Sequence, residues 1–302
     1  LEDFVALARE QENLAKPLAL GLGHLGGAIF GDDPTSALAL VEEGLTIARV
    51  VGDQWVIARL LMTKADFLRG IGKYSEAMQV NEEGRAISRA SGDVHEAARF
   101  SSSLQSVRII RGDWGAARQE LEPLLPIFRQ SKEALRYVAT LLSLGEVARL
   151  DGNYPLAKQY YSESLERARG LGLNYQIVLI ANNLGFIALH DGDVPLAQTL
   201  FTECLTVSQR NNLRAQIYFA LFGFAGVWAA KQSPQRAISL LAVFKNFIES
   251  GDRRSYTPVD EQEYQHYLAM ARAQLDQATF NAAWEAGRAL TLEQAIALAL
   301  EG

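Results

Sequence analysis

The chain has 302 residues, 49% of them hydrophobic and 21% charged, with only eight prolines, a composition that fits a folded helical protein. Its net charge of −6 is spread evenly, 17 basic against 20 acidic residues in the first 150 and 12 against 15 after them, so no basic stretch collects phosphates and direct nucleic-acid binding is disfavoured. The lack of a run of roughly 18 apolar residues speaks against a membrane span, and Glu2, Asp3, Arg9 and Glu10 interrupt any signal-sequence core, so a cytoplasmic location is expected.

Gly21, Gly23 and Gly26 spell GxGxxG, the glycine pattern of dinucleotide-binding loops. That fingerprint needs a strand before it, a helix facing the pyrophosphate and an acidic residue about 20 places on. None is offered here, so these glycines are read as close-packing positions on a helix, and no cofactor is expected. His24, His95, His190 and His266 show no metal-binding spacing, and the single Cys204 has no internal disulfide partner. Pairs such as Glu42 with Glu43 sit side by side and so point apart on a helix. Catalysis therefore has no sequence support, and the chain is read as a non-enzyme.

The dominant signal is a forty-residue period. GKYSEAMQV, GDWGAARQE, GNYPLAKQY and GDVPLAQTL begin at Gly72, Gly112, Gly152 and Gly192, and an alanine recurs at 37, 77, 117, 157, 197 and 237. Turns are thus expected near 32, 72, 112, 152, 192 and 232. Each turn lies between two stretches of helical periodicity, so the unit is a pair of antiparallel helices of about 15 to 18 residues. The small alanine lets the second helix approach the first closely, and Gly52, Gly92 and Gly172 mark the far ends of second helices. Such pairs bury their apolar faces only by stacking on neighbours.

The succession of LG, then G-[DN]-[YW], then Ala, then a large apolar residue at Val41, Leu121, Tyr161, Phe201 and Leu241 resembles the tetratricopeptide repeat with lengthened helices. Asp32, Asn81 and Gln232 depart from the pattern. The resemblance implies an all-α fold, a right-handed α-solenoid of about six repeats over residues 1–250. Residues 251–302 then form a helical cap, joined through the turn-rich SGDRRSYTPVDE and covering the stack with Phe280, Trp284, Leu290, Leu292, Ile296 and Leu300.

It also implies that first helices line a concave groove, where residues forty apart align. Arg59 and Arg99 share a phase, as do Asp66 with Glu146 and Arg69 with Arg149. In the third unit Ser101, Ser102, Ser103, Gln105 and Ser106 replace largely apolar neighbours. They serve either tight helix contact or a polar ligand. Asn182 and Asn183 in ANNLGFIAL resemble the NNLG segment of peptide-binding tetratricopeptide proteins such as the kinesin light chain. There an asparagine grips a peptide backbone; bracing the next repeat is the equal alternative.

The candidate groove residues are thus Arg59, Arg99, Ser102, Ser103, Glu146, Arg149, Asn182 and Asn183. The tail resembles that of bacterial signal-transducing ATPase regulators of the MalT and LuxR-like type. This implies a ligand-sensing or protein-interaction domain of a multidomain regulator, with a protein or peptide partner or a small-molecule inducer, and possible self-association. The alternatives are a stand-alone scaffold that assembles a protein complex, or an α/α-toroid enzyme.

Overall fold

A computed structural model describes residues 14–250 and 256–301, together with Asp3, Val5 and Ala8. Glu2, Arg9 and Glu10 of the signal-sequence reading, and residues 251–255 of the expected turn-rich connection, lie outside the described residues. The fold is an all-α solenoid of antiparallel helix pairs, in two compact units, residues 1–136 and 137–302. The boundary expected after residue 250 falls inside the second unit.

The first unit contains α1 (Ala15–Ile29), α2 (Pro34–Val51), α3 (Gln54–Gly70), α4 (Tyr74–Ala90), α5 (Val94–Ile110), α6 (Ala117–Leu121) and α7 (Leu124–Gln130). The second is built from α8 (Ala134–Leu150), α9 (Tyr154–Leu171), α10 (Asn174–His190), α11 (Val194–Arg210), α12 (Arg214–Ala230) and α13 (Pro234–Glu249), followed by α14 (Pro258–Arg272), α15 (Gln277–Ala289) and α16 (Leu292–Leu300).

Two rows of left-handed residues punctuate the chain every forty positions. Gly72, Gly112, Gly152 and Gly192 take φ between 73° and 83° inside the pairs, and Gln232 takes the same conformation at φ 57°. Between pairs, Gly52, Gly92 and Gly172 alternate with Lys132 and Asn212. The backbone turn therefore persists where its glycine is missing, at a steric cost of roughly 1–2 kcal/mol for an L side chain. Asp53, Asp93, Asn153 and Asp193 then cap the following helices by accepting from backbone N–H groups.

Close approach inside each pair is set by a glycine of one helix against a ring of its neighbour. A Cβ on Gly145 would lie 2.5 Å from the Tyr161 ring, and one on Gly185 2.6 Å from Phe201. Between successive pairs Gly84 of α4 faces Phe100 of α5 in the same way. The repeat alanines at 37, 77, 117, 157, 197 and 237 are all at most 1% exposed.

The third pair differs from the uniform 15-to-18-residue helices expected. Its second helix is broken into α6 and α7, of five and seven residues, because Pro123 at the break supplies no N–H. The GxGxxG glycines lie on α1 as packing positions: Gly26 sits against the Ala37 carbonyl and Val41 of α2, and Gly23 against Leu60 of α3.

The last two helices close the second unit. The Ser239 hydroxyl of α13 donates to the Ala283 carbonyl of α15 at 2.9 Å, and a Cβ on Gly287 would meet the Ser239 backbone at 2.3 Å. The Trp228 indole N–H donates to the Ala299 carbonyl at 3.2 Å. Small residues, Ala283, Gly287, Ala295 and Ala299, make this contact, whereas Leu300, expected in the covering face, is 46% exposed.

Two substitutions test this packing. Gly145→Ala forces the fully buried Tyr161 ring to move and is expected to cost ~1–3 kcal/mol. Gln232→Gly relieves the left-handed turn and is expected to stabilise by ~1 kcal/mol. Urea midpoints of the two variants against the parent check both signs.

Candidate functional site

In the first unit the candidate residues do not form one surface. Arg59 on α3 is exposed and lies 5.7 Å from the ring centre of Trp55, which Lys16 also approaches at 5.5 Å. Arg99 on α5 is half-buried and held by two carboxylates, Glu96 at 2.8 Å and Glu133 at 2.6 Å. Burial opposes its charge, but Glu133 and Glu96 together keep its pKa above the ordinary value. Ser102 and Ser103 are 3% and 5% exposed. Their side chains are buried, as is that of Asn182, which stands in the second unit at the same repeat position as Ser102. Gln105, also fully buried, has neither amide atom partnered.

In the second unit Glu146, Arg149 and Asn183 are brought together around Tyr161, and a helix from the tail reaches Arg149. Glu146 and Arg149 lie one turn apart on α8, Asn182 and Asn183 on α10, and Tyr161 on α9. Asn183 lies beside the Tyr161 hydroxyl. Across this face runs α14. Its Asp260 carboxylate approaches the Arg149 guanidinium at 3.9 Å, and its Glu263 carboxylate meets His190 Nε2 at 2.9 Å. Tyr267 stacks on Phe186 at 6.1 Å and packs on Gly226, while Tyr264 lies against Phe222 and Phe244. His190 itself is stacked on Tyr154 at 4.6 Å and faces His266 at 5.9 Å. Phe280, Trp284, Leu290, Leu292 and Ile296 of the tail pack on the core of the unit. The first helix of the tail packs on first-helix residues of α8, α10 and α12 as well as on α13.

This seat gathers buried charge with imperfect pairing. The Arg149 side chain is 1% exposed, and its Nε and Nη1 have no hydrogen-bond partner. Burial disfavours its charge, while Tyr161, Asp260, Glu146 and Glu263 favour it, and the net effect holds it protonated. Burial pushes the Glu146 carboxyl up to about 7, with Arg149 pulling it down and Asp260 pushing it further up. Asp260 is also raised by burial. It spends its Oδ2 on the α14 cap, accepting from the Thr257 N–H at 2.8 Å and the Thr257 hydroxyl at 2.7 Å. The Asn182 Oδ1 is likewise buried without a partner. Among the described residues no group of His, Cys, Asp or Glu side chains is arranged to hold a metal ion.

The contribution of α14 was not anticipated, although its signals stand in the sequence. Thr257-Pro258-x-Asp260 is a capping box with proline in the first turn, and Asp260, Glu263, Tyr264, Tyr267 and Ala271 fall on one helical stripe. Periodicity shows that this stripe is buried but not which surface receives it.

With the geometry described, the class is a helix-pair repeat protein, and solved structures place it more narrowly. No family profile and no curated protein matches the chain. A Rap protein complexed with competence and sporulation factor is similar over 91% of this chain and 82% of that one, at 14% identity and a TM-score of 0.61. A signal transduction ATPase with numerous domains and a tetratricopeptide repeat sensor, from Pyrococcus horikoshii, is similar over 94% of this chain at 14% identity and a TM-score of 0.60. This chain spans 44% of that protein's length. A tetratricopeptide repeat protein from Parabacteroides merdae is similar over 89% of this chain and 98% of that one, at 14% identity and a TM-score of 0.50. The chain therefore has the tetratricopeptide-repeat fold.

The raised carboxyls make stability depend on pH in a definite sense. For an acid whose folded pKa lies above its unfolded value, the stabilising contribution is whole below the unfolded value and is lost as pH rises through the folded one. Here that window runs from about 4.5 to about 7 for Glu146, and Asp260 acts with the same sign. Glu146→Gln stays neutral, so its melting temperature should gain on the parent's between pH ~5 and ~8. Thermal melts across that range check it; a constant gap between the two proteins would show the carboxyl to be solvated.

Proposed function

We propose that this chain is a non-catalytic, ligand-sensing protein-interaction domain of a cytoplasmic bacterial signalling or transcription regulator, and that its first helices bind a peptide segment or a small inducer. One observation carries the reading. On the first-helix side of the second unit, Arg149 and Asn182 hold buried hydrogen-bonding atoms without partners, beside Asn183, whose amide both donates and accepts. Buried polar groups normally find partners, and a peptide backbone offers both kinds. Two proteins of similar structure support it: one is complexed with competence and sporulation factor, and the other is a signal transduction ATPase with a tetratricopeptide repeat sensor. Sensing requires the ligand to favour one of two states of the array.

A second reading, a scaffold that assembles a protein complex, is favoured by the apolar side chains exposed on the first unit. Val50 is 86%, Trp55 53% and Val94 61% exposed, and exposed apolar surface of this kind is what protein contacts use.

A thermal-shift screen of the full chain against short peptides, sugars and nucleotides separates the two. A ligand of the first-helix face raises the melting temperature of the parent and loses most of that effect in Asn183→Ala. A ligand that stabilises Asn183→Ala as well as the parent but not Trp55→Ala moves the site to the exposed side of the first unit.

A further inference from the structure

We infer that the face formed by α8, α10, α12 and α13 is a receptor for an acidic, tyrosine-bearing amphipathic helix, and that α14 is the resident occupant which such a partner helix replaces. The inference deepens the reading of this face as a binding face and rests on it. The recognition pattern is given by α14 itself: Asp260-x-x-Glu263-Tyr264-x-x-Tyr267. Its first carboxylate meets Arg149 and its second meets His190. Its two tyrosines enter the aromatic lining of Phe186, Phe222 and Phe244 at ring separations of 6.1 to 6.3 Å.

Two features mark this as a docking contact rather than ordinary core. First, the charges are poorly matched. Lys245 of α13 borders the seat over the Tyr264 ring at 5.8 Å, but on the α8 and α10 side Glu146, Asp260 and Glu263 meet one permanent cation, Arg149, whose contact with Asp260 is long at 3.9 Å and whose Nε and Nη1 are unpartnered. The remaining cation, His190, is charged only when protonated. Burying charge without full pairing is costly, so the seat holds α14 less firmly than its aromatic contacts alone would. Second, α15 and α16 carry their own contacts to α12 and α13, through Ser239, Gly287, Trp228 and Arg236. The end of the stack is thus closed without α14.

A tethered occupant acts at an effective concentration of order millimolar, so only a weakened seat lets a free partner compete. The Tyr264 hydroxyl, buried and unpartnered, adds to that weakness. A partner lacking the second carboxylate leaves His190 without an acceptor, and one lacking the tyrosines leaves the aromatic lining uncovered.

The test uses the full chain and a fluorescein-labelled synthetic peptide of residues 256–274, read by fluorescence polarisation. Two full-chain hosts loosen the resident helix, Glu263→Lys and the double variant Tyr264→Ser with Tyr267→Ser. Hydrogen exchange in each host reports whether α14 alone has lost protection. Both hosts are expected to bind the peptide at least tenfold more tightly than the parent. Adding Arg149→Ala to the host, or Glu263→Lys to the peptide, is expected to abolish that gain. Equal binding by hosts and parent overturns the inference. So does an α14 that stays protected in both hosts, or one that loses protection only together with α10 and α12, since it is then a fixed part of the core. Peptide ligands that still act through Asn183 under any of these results would leave the reading of the face standing and remove only the claim about its helical occupant.

Discussion

Everything in this molecule depends on how closely two helices can approach when one of them gives up a side chain. Gly145 and Gly185 open a space on first helices that Tyr161 and Phe201 fill from second helices, and Gly223 of the next first helix closes on the same Phe201 ring. The ring is clasped between two backbones, an arrangement that buries a large apolar area and tolerates little change in volume. Within the pairs the same close approach brings small side chains onto the facing backbone. Ser164 donates to the Val138 carbonyl at 2.9 Å, and Cys204, forty residues on, approaches the Val178 carbonyl at 3.3 Å. The cysteine is a packed thiol whose pKa burial pushes up.

What the sequence makes legible is whatever repeats. The turns at Gly72, Gly112, Gly152 and Gly192, the alanine row and the small-against-large packing all recur at one spacing, and each is a local consequence of backbone sterics. Where a repeat loses its glycine, as at Gln232, the neighbours still impose the turn. Breaks in periodicity are harder to read: Pro123 splits the second helix of the third pair, although the flanking residues keep the helical pattern.

The candidate site was legible only in part. Glu146, Arg149 and Asn183 come together around Tyr161 because successive first helices lie side by side in the stack, with residues a turn or so off strict register still neighbours. Ser102 and Ser103 share that helix side but face inward, since polarity alone does not tell a lining residue from a small buried one. Arg99 is engaged by Glu96 and Glu133, and the second of these pairs joins residues 34 apart, which no local pattern reveals. Above all, Asp260 and Glu263 come from the non-repeating tail, and Glu263 lies 73 residues from the His190 it meets. Periodicity carries no information about where such a segment lands.

The recurring ion pairs add a last point. Arg49 reaches Glu83 and Arg169 reaches Glu203, both 34 residues ahead and three full periods apart from each other. Each pair is exposed and worth little alone, and with the turns and clasped rings they keep the forty-residue ruler, although the same offset meets Pro123 from Arg89 and Val243 from Gln209. An array built on such a ruler can lengthen or shorten by whole units, because a duplicated or deleted block of forty residues presents each neighbour with an equivalent partner. A change of any other size shifts the clasped rings off their glycines, so in this architecture evolution and engineering alike are restricted to integer steps.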